Sequence, residues 1–108
     1  MAVTPRVEGG ATVLEVRGEI DYETGGPLQA ALASACAGTA PQCVVDLGGV
    51  AFLDSSGLSI LLAAYGRATA AGGWLRLARV SPPVLRVLTI VGLDSVVPIY
   101  PTMQAALA

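Results

Sequence analysis

Histidine and lysine are both missing from this sequence, and its six basic side chains are all arginine. Without histidine the chain lacks the commonest general base and the commonest zinc ligand. Without lysine it has no Ser–Lys dyad, so a serine nucleophile would have no partner to take its proton. There are only two cysteines, Cys36 and Cys43. Their spacing fits no metal motif, and two thiols alone do not close a zinc site, so both are expected to be small buried hydrophobes. Charged residues make up 13% of the chain and the formal net charge is −2. No basic run exists, which argues against a nucleic-acid surface. Apolar stretches are broken by Arg, Gly or Pro well short of the ~20 residues of a membrane span, so no membrane insertion is expected. A charged start followed by an apolar stretch is also lacking, so no signal peptide is expected. These exclusions leave a soluble, cytoplasmic protein as the expectation.

What is present is hydrophobic material: 54% of 108 residues. That is enough for one domain, expected over residues 1–108, to bury a core without disulfides or metal. "ATVLEVR", from Ala11 to Arg17, reads as a strand. A shorter strand around Arg6-Val7-Glu8 would pair with it through Gly9-Gly10, a two-residue hairpin signal. "GEIDY", Gly18 to Tyr22, then leaves the sheet. Thr24 is the expected cap of a helix over 24–37, with Pro27 in its first turn. Gly25-Gly26 gives that helix a loose start.

"QCVVDL", Gln42 to Leu47, is a strand that Gly48-Gly49 is expected to break. A second helix is predicted over 56–71, with Leu58, Leu61, Leu62 and Tyr65 on one face. Trp74 to Ala78 is the next strand. Ser81-Pro82-Pro83 opens a helix running to Val91, Val96-Val97 is the predicted edge strand, and a last helix follows Pro101. Strands alternating with helices in this way predict an α/β fold with a mostly parallel or mixed sheet.

The chemistry concentrates in Asp54-Ser55-Ser56-Gly57, at the start of the second helix. The first N–H groups of a helix lack internal partners, and its N-terminus carries roughly +0.5 of a charge. One reading makes Ser55 or Ser56 a plain cap, contributing ~1 kcal/mol. The other makes the hydroxyl a phosphate acceptor, gaining about −1.5 to −2 charges beside Asp54. An apolar or acidic partner docked there would then be repelled. A nucleophile-elbow Gly-x-Ser-x-Gly is missing, and no glycine pair matches a P-loop or dinucleotide fingerprint. An enzyme acting by itself therefore has no residues to carry it.

"VRGEIDYETGGPL", "VVDLGGVAFLDSSGLSILL" and "SPPVLRVLTIVGLDSVVPIY" follow one another in the order of the three signature blocks of STAS domains. The chain resembles the small bacterial anti-sigma factor antagonists over nearly its whole length. That resemblance implies the STAS fold, a small mixed β-sheet of four to five strands with about four helices packed on it. It implies regulation without catalysis. The unphosphorylated antagonist binds an anti-sigma factor that is also a serine kinase, which releases a sigma factor. Phosphorylation ends the binding, and a PP2C-type serine phosphatase resets it.

Carried onto this chain, the acceptor is Ser56, with Asp21, Tyr22, Asp54, Ser55, Ser56 and Gly57 forming the partner-binding surface. The resemblance further implies that Asp21 lies near Ser56. No ATP site, cofactor or metal is expected here. The competing reading is a STAS scaffold or accessory subunit, in a stress-signalling or lipid-transport ABC complex, without sigma control.

Overall fold

The computed structural model describes residues 1–108. β1 (Ala2–Glu8) and β2 (Ala11–Ile20) form an antiparallel hairpin. Gly9 and Gly10 both take positive φ, 58° and 81°, as a primed two-residue turn requires. The chain continues through α1 (Gly26–Ala35), β3 (Gln42–Leu53), α2 (Ser55–Ala70), β4 (Trp74–Ala78) and α3 (Pro82–Ile90). A single 3-10 turn (Leu93–Ser95), β5 (Ile99–Tyr100) and α4 (Met103–Leu107) complete it. The sheet order is β1-β2-β3-β4-β5, with every pair after the hairpin parallel. Each parallel connection is a helical crossover, the only short way to return a strand in the same direction.

The alternation of β2, β3 and β4 sorts two faces. Leu14, Val16, Ile20, Cys43, Val45, Leu47, Leu75 and Leu77 meet Leu28 and Leu32 of α1, Leu61, Ala64 and Ala68 of α2, and Val84 and Leu88 of α3. This is the main core, and each fully buried leucine in it is worth about 1.5–3 kcal/mol of transfer free energy. On the opposite face, Val13, Val44 and Ala78 pack on Ala106 of α4. Arg76 fastens that small helix. Its guanidinium lies 3.8 Å from the Trp74 ring centre, and Nη1 donates to the Ala106 and Ala108 carbonyls at 2.8 and 3.1 Å. The rest of this face is polar, with Arg6 and Arg17 both paired to Glu15.

Four local expectations need correction. β3 does not stop at Gly48-Gly49. It runs on to Leu53, paired with β2 through two register shifts. The edge strand is Ile99–Tyr100 rather than Val96-Val97, because Val97 is drawn into the core behind the 3-10 turn. Thr24 does not cap α1, whose N-cap position is Gly25. On α2 the buried face is Gly57, Leu61, Ala64 and Ala68, with Leu58 and Tyr65 half-buried and Leu62 exposed. Small residues let this helix lie close on the sheet, which swings the stripe away from Leu62. Cys36 and Cys43 are free and buried, as expected.

Candidate functional site

β2 and β3 end side by side, with Ile20 paired to Leu53. The Asp54 N–H then donates to the Ile20 carbonyl at 3.1 Å. The loop carrying Asp21 and Tyr22 therefore leaves the sheet beside the start of α2. Gly25 shows how closely the two approach: a Cβ there would lie 2.8 Å from Ile60 Cδ1 and 3.1 Å from the Asp21 carbonyl oxygen. The glycine serves close packing against α2, not the loose helix start expected for it.

The loop is internally tied. Asp21 Oδ1 accepts the Glu23 and Thr24 N–H groups, each at 2.9 Å. The Thr24 hydroxyl shares its one proton between the Glu19 carbonyl at 2.7 Å and Asp21 Oδ1 at 3.0 Å, and its oxygen accepts the Asp21 N–H at 3.0 Å. The Thr24 N–H, and after it the Thr24 hydroxyl, hold the Asp21 carboxyl below its ordinary 3.8, with the Glu23 N–H adding to the effect. Thr24 is thus a loop organiser. Tyr22, at the tip, is 88% exposed.

At α2 the cap is neither serine. Asp54 is extended at φ −103°, and its Oδ1 accepts the Ser56 N–H at 2.9 Å and the Gly57 N–H at 3.3 Å. The Leu58 N–H is taken by the Asp54 carbonyl. Two of the four orphan donors of the first turn, the Ser56 and Gly57 N–H groups, are satisfied by this one carboxylate, whose negative charge also suits the helix dipole. Neither hydroxyl is spent on capping. Ser55 is exposed and Ser56 half-buried. Gly57 is buried because a Cβ would stand 2.8 Å from Leu53 Cγ and 2.9 Å from Ile20 Cγ2. Ser59, one turn on, is exposed.

Asp21, Tyr22, Asp54, Ser55, Ser56 and Gly57 therefore occupy one end of the sheet. Phe52, 49% exposed and opposite Glu19 in the β2–β3 register, joins them. Its signal in the sequence was positional: Leu53 must face the core, so the aromatic before it faces out. No three His, Cys, Asp or Glu side chains converge to hold a metal ion. The larger hollow, about 520 Å³ among Val80, Leu85, Asp94, Ile99, Tyr100 and Pro101, includes none of these site residues. No helix is long and apolar enough to cross a membrane.

A mixed five-stranded sheet, helical crossovers on one face and an Asp-capped Ser-Ser-Gly helix start together define a class, and comparison with known proteins gives it a name. The family model described as "Mlab, STAS domain" matches residues 3–98. The chain belongs to the STAS-domain family. It is 33% identical over 94 residues to the anti-sigma F factor antagonist of Paenibacillus polymyxa, covering 84% of this chain and 79% of that protein. The crystal structure of an anti-sigma factor antagonist from Mycobacterium paratuberculosis superposes with a TM-score of 0.88 at 35% identity, covering 98% of this chain and 90% of that one. The anti-sigma factor antagonist SpoIIAA, in its unphosphorylated form, superposes with a TM-score of 0.78 at 25% identity, covering 97% and 92%.

Proposed function

We propose that this chain is an anti-sigma factor antagonist, acting by reversible binding and switched at Ser56. Unphosphorylated, it docks an anti-sigma factor that is also a serine kinase, and a sigma factor is released. The docking surface is the end of the sheet formed by Asp21, Tyr22, Asp54, Ser55, Ser56 and Gly57, with Phe52 at its margin. The kinase supplies ATP and the catalytic groups. The Ser56 oxygen attacks the γ-phosphorus, ADP leaves, and the hydroxyl proton passes to a base of the kinase. A PP2C-type phosphatase hydrolyses the ester and restores the hydroxyl. The chain itself works as one cytoplasmic domain without catalysis or cofactor. The names borne by its relatives support this reading.

The observation that carries it is the Asp54 cap. A phosphate at a helix start is ordinarily welcomed by free N–H groups. Here the Ser56 and Gly57 N–H groups are already bonded to Asp54 Oδ1. The added charge of about −1.5 to −2 is therefore displayed beside a carboxylate rather than absorbed into the cap. An apolar or acidic docked surface meets repulsion and a desolvation penalty, while the fold beneath keeps its cap.

The test is incubation with a cognate anti-sigma kinase and ATP, read by intact mass and peptide mapping. One added phosphate, lost in Ser56→Ala and kept in Ser55→Ala, is the expected result. No phosphate with any candidate kinase, together with stable co-purification with a transporter ATPase, would replace this reading with an accessory subunit lacking sigma control.

A further inference from the structure

The segment that delivers Asp54 and Ser56 has a sheet neighbour on one side only. β3 is flanked by β4 as far as Asp46, which pairs with Ala78. From Leu47 to Leu53 only β2 runs alongside, and that ladder slips between Glu15 and Arg17 and again between Arg17 and Glu19. The stretch leading to the switch therefore leans on an interrupted ladder.

The vacated side is filled by two side chains from the turn after β4. Arg79 is one of two non-glycine residues with positive φ, at 56°. That backbone turn brings its guanidinium back over β3, with Nη1 3.6 Å from Asp46 Oδ2. A Cβ on Gly48 would lie 2.6 Å from Arg79 Nη2 and 2.9 Å from Nε, so glycine leaves room for the arginine to lie flat on the strand. Asp46 is only 2% exposed, and its Oδ1 accepts the Gly48 N–H at 2.9 Å. Ser81 occupies the N-cap position of α3 but makes no cap bond there. Its hydroxyl donates instead to the Val50 carbonyl, 31 residues away, at 2.7 Å.

We propose that Arg79 and Ser81 are positioning residues that hold the 47–53 segment, and through it the Ser56 switch, in the geometry a partner recognises. The inference rests on the Ser56 reading for its consequence, but the brace is a property of the fold. Arg79, Asp46 and Gly48, with Glu15, Arg17 and Gly49, line a hollow of about 230 Å³. Its charges are already matched within the chain, Arg17 to Glu15 at 2.8 Å and Arg79 to Asp46, which points to a brace rather than a ligand pocket. When the brace is cut, the segment samples other arrangements and only a fraction presents Ser56 correctly. Apparent affinity falls by that fraction, whereas turnover of the bound complex is retained.

The test compares Arg79→Met, Arg79→Lys and Ser81→Ala in the full chain, with Arg86→Met, on the exposed face of α3, as control. The first readout is native-state amide exchange. Arg79→Met and Ser81→Ala are expected to bring exchange at Leu53 and Asp54 close to the unprotected rate, as a competent fraction of about one tenth requires, while Leu75 and Leu77 in β4 keep their rates. The second is the kinase's KM for this chain, expected to rise about tenfold with kcat unchanged. Arg79→Lys keeps the charge and is expected to restore both; Arg86→Met is expected to change neither. Unchanged exchange at Leu53 and Asp54, or acceleration spread evenly over the sheet, would overturn the brace. If the unmodified chain accepts no phosphate, the Ser56 reading fails while the exchange data still decide the brace. Ser81→Ala removes a single oxygen, so it decides the question if Arg79→Met does not fold.

Discussion

Two helices begin at neighbouring points of the fold, and their first residues behave in opposite ways. At α2 an aspartate caps and the two serines after it leave their hydroxyls out of the cap. At α3 a serine stands in the cap position and sends its hydroxyl to a distant strand. A carboxylate can take two N–H donors at once, so a helix capped by Asp54 does not need its serines. A helix opening on Pro82-Pro83 has two fewer N–H groups to satisfy, so Ser81 is released for other duty. The lesson is that residue type at a helix start does not fix its role. The donors left over decide it.

The contrast can be broken in graded ways. The largest effect should follow phosphorylation of Ser56, which is expected to weaken kinase binding by several kcal/mol, above about a thousandfold. Calorimetric titration of phosphoprotein against unmodified protein measures it, and equal affinities would remove the charge mechanism. Next is Gly57→Ala, where the new methyl meets Leu53 and Ile20. A loss of about 1–3 kcal/mol in denaturant unfolding is expected from overpacking. Asp54→Ala should then cost ~1 kcal/mol through the lost cap, with Asp54→Asn recovering most of it.

The smallest effect concerns pH. Asp21 has a folded pKa below its ordinary 3.8, so its loop bonds favour the ionised form. Their contribution is present above 3.8 and fades as pH falls through the lowered value. The Thr24 amide shift, followed by NMR, should titrate with a midpoint under 3.8. A midpoint above that ordinary value would mean the Asp21–Thr24 contacts do not persist in solution.

The order of elements was legible because each carries its own period and punctuation: "ATVLEVR" alternates, Gly9-Gly10 turns, and Pro27 and Pro82 sit in first turns. Errors fell where tertiary contacts decide. Gly48-Gly49 has the composition of a break, yet the pair continues a strand because Arg79 lies over the missing side chain of Gly48. Thr24 has the chemistry of a cap, but Asp21 three residues earlier competes for it. Asp54-Ser55-Ser56-Gly57 was visible as a helix start. Which of its oxygens would take the N–H groups was not, since Asp and Ser serve equally well at a cap and only the extended backbone at Asp54 separates them. Asp46 offered no sign of a role, because its partner Arg79 lies on a later element of the chain.

The two thiols set a clock inside the molecule. Cys43 is fully enclosed and burial pushes its thiol up to about 12, while Cys36 is 6% exposed. At neutral pH an alkylating reagent finds almost no thiolate at Cys43 and no path to it. Trapping of Cys43 must wait for the interior to breathe, so its rate of labelling follows how often the core opens, without a tag, a partner or any knowledge of what Ser56 carries.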